Sequence, residues 1–153
     1  MSTSFTKPYS PQSGSQPLGQ LLVNAQQWVN LSVLHQMTKR GHRKLSAAHL
    51  GFLANLDCGL THASAVARRM GVSRQAVYRT TAELQALKIL ELVDDPEKRN
   101  QKIIRITRHG ETVIRDARSC LAQVEATLRK RLGAPDFEQL VVILRADWGP
   151  LMD

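Results

Sequence analysis

The stretch THASAVARRMGVSRQAVYRTTAELQALKILELV, residues 61–93, decides the fold. Gly71 offers a helix stop in left-handed backbone, which costs glycine little and other residues more. Ser73 is an N-cap, because its hydroxyl can accept a free first-turn N–H. The spacing predicts a helix over His62–Met70 capped by Thr61, and another from Arg74 to about Leu87. Only Gly71, Val72 and Ser73 separate them, so the two helices must cross steeply. Ala63, Val66, Ala67, Val72, Val77 and Leu84 are the apolar positions that can pack the crossing. This is a helix-turn-helix layout.

Downstream, Ile89–Val93 reads as a short strand, residues 94–101 as a polar turn and Lys102–Ile106 as a returning strand. A hairpin directly after a helix-turn-helix is a wing. Thr107 opens a long helix, Arg108 to about Leu132, with Ile114, Ala117, Leu121, Val124 and Leu128 at heptad-like spacing. Gly133 and Pro135 end it. A last helix, Asp136 to about Trp148, carries Phe137, Leu140, Val141, Leu144 and Trp148.

Upstream, Leu18 to about Thr38 reads as a helix from apolar residues three and four apart. Ser46 caps another, Ala47 to about Asp57. Residues 1–17 have almost nothing to bury and read as a disordered tail. The remainder, 18–153, is one domain of mainly α class with a small β-hairpin wing. Its central lobe spans 46–107, with the helix-turn-helix at 61–88 and the wing at 89–107.

Composition narrows the function. The 153 residues carry 21 Lys plus Arg against 13 Asp plus Glu, a formal net charge of +8. Such an excess favours an acidic partner. It is unevenly spread: residues 1–60 hold five basic and one acidic residue, 61–108 ten and five, and 109–153 six and seven. No apolar run approaches the roughly 18 residues that span a bilayer, and Met1–Gln20 has no apolar core of a secretory signal. Cys58 and Cys120 make no disulfide framework, so a cytoplasmic protein without a membrane partner is expected. Gly-rich phosphate loops, a Gly-x-Ser-x-Gly elbow and His/Asp/Glu clusters are all missing, which argues against an enzyme and against a cofactor. His35, His42, His49, His62 and His109 contain no i, i+4 pair, and no metal site is expected. Cys120, beside Leu121 of the apolar seam, reads as a small buried side chain. Trp28, His35, His49 and Phe52 can line a ligand cavity, though core packing explains them equally well.

Ala67, Met70, Gly71, Val72, Ser73, Arg74, Gln75, Val77, Arg79 and Leu84, then Asp95, Pro96 and Arg99 in the wing, then Thr107 and Gly110, together resemble the MarR (multiple-antibiotic-resistance regulator) family of winged-helix transcription factors. The resemblance covers roughly residues 18–150. It implies a homodimer joined through its terminal helices, 18–38 and 108–151, with Leu18, Leu21, Leu22, Leu140, Leu144 and Trp148 at the interface. It also implies a sequence-specific regulator of double-stranded DNA, most often a repressor. The fourth helix would enter a major groove and the wing would approach a minor groove, on a palindrome with half-sites about one turn apart. Many members release DNA when a small molecule, often aromatic, or an oxidant arrives. This chain departs from the pattern at Lys98, where the family usually carries an Asp that orients a neighbouring Arg.

The site residues follow from that layout. Ser73 caps the recognition helix and can present a phosphate to its N-terminus. Arg74 and Gln75 in the first turn can read guanine and adenine edges. Tyr78 shares a face with Arg74, and either groove contact or burial is open to it. Arg79 shares a face with Gln75 and suits a phosphate. In the wing, Arg99 suits minor-groove insertion, and Lys98 and Lys102 suit phosphates. Arg68 and Arg69 can meet phosphate or satisfy helix C-terminal carbonyls. The competing function is a winged-helix module for protein interaction or for non-specific, architectural DNA binding. It would expose apolar anchors where this sequence has Arg74, Gln75 and Arg79.

Overall fold

The computed structural model describes residues 16–56 and 61–152. In chain order the elements are α1 Leu18–Lys39, α2 Ala47–Asn55, β1 Thr61–His62, α3 Ala63–Met70, α4 Arg74–Ala86, β2 Leu90–Asp94, β3 Lys102–Ile106, α5 Arg108–Leu132 and α6 Ala134–Arg145. Residues 1–15 of the tail expected over 1–17, and Cys58, lie outside the described residues.

The core sits where α1 to α5 and the sheet converge. Met37, Phe52, Val66, Val77, Leu84, Ile104 and Val113 are its fully buried side chains. Cys120 is buried too, its Sγ 3.7 Å from the Met37 Sδ, and burial pushes its thiol pKa up. The thiol therefore stays protonated and packs as a small apolar group.

Local chemistry sets the boundaries. The Ser46 Oγ accepts the His49 N–H while the His49 Nδ1 accepts the Ser46 N–H, a reciprocal cap in which histidine replaces the usual Glu or Gln. Gly71 ends α3 at φ 64°, and the Val72 N–H reaches back to the Ala67 carbonyl. α4 ends likewise: Ile89 N–H bonds the Leu84 carbonyl and Lys88 N–H the Gln85 carbonyl, with Lys88 itself at φ 58°. Thr107 caps α5 by accepting the Gly110 N–H at 3.0 Å.

Three boundaries differ from the sequence reading. Thr61 is not a cap: Thr61–His62 form β1, paired antiparallel to β3 with Thr61 opposite Ile104, and His62 is the N-cap of α3. A two-residue strand has no periodicity to read, and its partner lies about forty residues away. The hairpin is thus a three-stranded sheet in the order β1-β3-β2. Pro135 does not follow a helix but stands in the first turn of α6, where its missing N–H has no intrahelical acceptor to lose. α6 stops at Arg145, and the Trp148 indole N–H folds back onto the Ile143 carbonyl at 3.2 Å. Val72 stays 41% exposed in the turn and does not pack the helix crossing.

Candidate nucleic-acid interface

The N-terminal half of α4 buries Val77 and leaves its opposite face exposed. The Ser73 Oγ accepts the Ala76 N–H at 3.1 Å, so the hydroxyl serves as the cap. Arg74, Gln75 and Arg79 are exposed and make no side-chain hydrogen bond or ion pair among the described residues. Tyr78 is 56% exposed, which removes the burial alternative and puts its ring on the face with Arg74. Two cations, an amide and a phenol thus stand on the first two turns, beside the N–H groups and positive end of the helix.

α4 is held to α2 near its C-terminal end. Buried His49 accepts a backbone proton at Nδ1, which leaves its Nε2–H to donate to the Glu83 Oε2 at 2.9 Å. α2 is thereby tied to the C-terminal half of α4, about two turns beyond Gln75. The Arg69 guanidinium donates to the Asn55 carbonyl, at the end of α2. It thus satisfies a helix terminus, though that of α2 and not of its own helix.

The wing has a fixed base and an open tip. The Asp95 Oδ2 lies 2.6 Å from the His62 Nε2, and its Oδ1 accepts the Glu97 N–H at 2.9 Å. The Glu97 N–H and His62 hold its carboxyl below the usual carboxylate range. Lys98 and Arg99 are exposed at the tip, followed by Asn100 at φ 64°. Lys102 is less free: its Nζ sits 2.6 Å from the Asp94 Oδ1 on the neighbouring strand. That pair is solvent-exposed and weak, so phosphate can compete for Lys102. Sequence reasoning missed the anchoring role of His62 and Asp95. Helical spacing speaks only to metal pairs of histidines, whereas three of them each meet one carboxylate: Glu83, Asp95 and Asp116.

The terminal helices leave an apolar surface. α6 buries no residue within this chain. Leu140, Leu144 and Trp148 are exposed there, as are Leu18 and Leu21 on α1, with Leu22 half-buried. Elsewhere α1, α2 and α5 line a half-open cavity of about 400 Å³. Val29, Val33, Leu50, Leu53 and Ile114 give it apolar walls, and Gln26, Asn30 and Arg118 give it polar groups. Trp28, His35, His49 and Phe52 do not line it: His49 and Phe52 are core, and the Trp28 ring lies under the Arg131 guanidinium, 5.8 Å from its centroid.

No family model matches this sequence, and no curated protein does. Solved structures do match. Oxidised MarR from E. coli superposes with a TM-score of 0.72 at 18% identity, over 86% of this chain and 93% of that one. CouR from Rhodococcus jostii RHA1, bound to p-coumaroyl-CoA, gives 0.69 at 19% identity over 93% and 99% of the two chains. BpsR from Bordetella bronchiseptica, described as regulated in DNA binding by 6-hydroxynicotinic acid, gives 0.67 at 22% over 85% and 97%. At these identities the likeness is one of fold, and the chain has the winged-helix fold of the MarR-family transcriptional regulators.

Proposed function

We propose that this protein is a sequence-specific DNA-binding transcriptional regulator, a repressor that binds a palindromic operator as a homodimer. The observation that carries the reading is the α4 face. Arg74, Gln75, Tyr78 and Arg79 are exposed, and the two arginines have no ion-pair partner among the described residues. A protein-interaction module would place apolar anchors there. Lys98 and Arg99 extend the same positive surface on a wing whose base is fixed by Asp95. Fixing the base limits the ordering cost of docking the tip.

The dimer brings two such faces together. The start of α1, α6 and the segment after it expose Leu18, Leu21, Leu140, Leu144 and Trp148, and a two-fold axis through them would bury what the single chain leaves in water. The CouR structure bound to a 23-mer duplex has a TM-score of 0.72 to this chain, which supports the DNA reading by analogy of fold.

Control by a small molecule fits better than control by an oxidant. The cavity between α1, α2 and α5 joins the terminal helices to the lobe, and a ligand in it would act on their relative orientation. Cys120, in contrast, is fully buried with its pKa raised. The test is site selection from random duplex DNA at near-physiological salt. A palindrome with half-sites about one turn apart is the expected result. A flat profile with weak, salt-sensitive binding would leave a non-specific architectural role.

A further inference from the structure

Part of the positive charge lies away from α4 and the wing. Residues 1–60 carry Lys39, Arg40, Arg43 and Lys44 near the end of α1 and in the connection to α2, with Asp57 as their one acid. Arg40 is engaged, donating to the Ser119 Oγ at 3.1 Å with Asp116 3.7 Å away. Arg43 and Lys44 have no acidic partner among the described residues. With His42 and His109 they line a cleft of about 330 Å³ whose apolar part is Leu45, Leu87 and Ile89. No Asp or Glu lines this cleft, and the nearby Asp116 is already 2.8 Å from the His42 Nε2. His109 stands in the first turn of the 25-residue α5, so the positive end of that helix adds to the same place.

We propose that this cleft binds a phosphorylated small molecule, a phosphate monoester with a compact apolar group. Two adjacent cations, Arg43 and Lys44, suit a group of charge about −1.5 to −2 with three acceptor oxygens better than a single carboxylate. Half-buried Leu45 and Leu87 receive the apolar substituent, over the buried Ile89. The volume falls in the range of small-ligand pockets. The cleft is separate from the DNA face: the 13 residues of α4 lie between Ser73 and Leu87, about 20 Å at the helical rise. Its walls come from the α1–α2 connection, the end of α4 and the start of α5, so a bound ester touches the foot of the recognition helix.

The test is an amide-shift NMR titration of the full chain, without DNA, using phenyl phosphate, with phenol and inorganic phosphate as comparators. Saturable shifts are expected at residues 41–45, 87–89 and 109, with phenyl phosphate at least tenfold tighter than either comparator. Arg43→Ala/Lys44→Ala should weaken it tenfold or more while the melting temperature holds, because both side chains are exposed. The proposal is overturned if no saturable shift occurs, if phenol or inorganic phosphate binds as tightly, or if the double variant binds like the parent. It also fails if that variant only lowers the salt dependence of DNA binding, which would make the cluster a backbone contact. Because no DNA is present in the titration, its outcome is separable from that of the DNA-binding reading.

Discussion

The Asp95 carboxylate, 2.6 Å from the His62 Nε2, joins the base of the wing to the start of α3. The same carboxylate accepts the Glu97 N–H and so shapes the turn that leads to Arg99. Asp95→Asn keeps the size but loses the charge that holds both partners. The expected result is weaker DNA binding with little change in melting temperature, and faster motion of residues 96–100 in amide relaxation. If relaxation there stays as in the parent, the wing is held by its strands alone.

His42 and Arg40 beside Asp116 likewise depress that carboxyl below its ordinary value of 3.8. A depressed carboxylate contributes stability above its unfolded-state pKa, and the contribution is lost as pH falls through the folded one. Asp116→Asn should therefore melt below the parent at neutral pH, with the gap closing as the pH drops below about 3.8. A gap constant from pH 7 to pH 2, in thermal melts across that range, would show that the carboxylate charge is not what stabilises the junction of α1 and α5.

Gly110 lies where α5 crosses the end of β3 and Ile89, the residue before β2. A Cβ built there would stand 2.1 Å from the Ile89 carbonyl oxygen and 2.9 Å from the Ile106 Cγ2. That carbonyl is fixed by the Thr107 N–H at 3.0 Å, so it cannot swing aside. Gly110→Ala should destabilise by roughly 1–3 kcal/mol or more through overpacking, despite the better helix propensity of alanine. Chemical denaturation measures it, and an unchanged or raised midpoint would mean that the crossing has slack.

Thr81 sits in α4 at 1% exposure, and its Oγ1 is the one buried side-chain N or O among the described residues without a hydrogen-bond partner. A buried, unpaired hydroxyl costs on the order of 1–3 kcal/mol. Thr81→Val keeps the shape and removes that penalty. A gain of about 1 kcal/mol is expected, read as a higher denaturation midpoint at unchanged slope. A loss of stability would assign the hydroxyl a partner, such as a carbonyl one turn back in its own helix.

Legibility in the sequence tracked the range of the forces involved. Helix positions came from local signals: Ser46, Ser73 and Thr107 as caps, Gly71 as a stop and apolar residues three and four apart. β1 was illegible because it exists only through β3, a pairing between residues about forty apart. The exposure of Arg74, Gln75 and Arg79 follows from helical phase once Val77 and Leu84 are assigned to the core. The histidine–carboxylate pairs do not follow from phase. His49 and Glu83 are 34 residues apart, His62 and Asp95 33, and His42 and Asp116 74, so only the packed fold brings them together.

Arg99 and Gln75 separate the two parts of DNA recognition. Arg99 is at the exposed wing tip, where the chain turns through Asn100 at φ 64°, and a cation there contributes through phosphate and groove potential whatever the sequence. Arg99→Ala should therefore weaken binding to most duplexes and reduce the slope of log affinity against log salt by about 0.9. Gln75 lies in the first turn of α4 with a free amide, which can hold an adenine edge by two hydrogen bonds. Gln75→Ala should leave the salt slope unchanged and relax base preference at one position per half-site, at a cost of roughly 1–3 kcal/mol for the preferred base. Site selection with each variant, together with binding measured across a salt series, distinguishes them. If Arg99→Ala leaves both affinity and slope as in the parent, the wing does not touch DNA; if Gln75→Ala leaves the selected profile unaltered, Gln75 does not read bases.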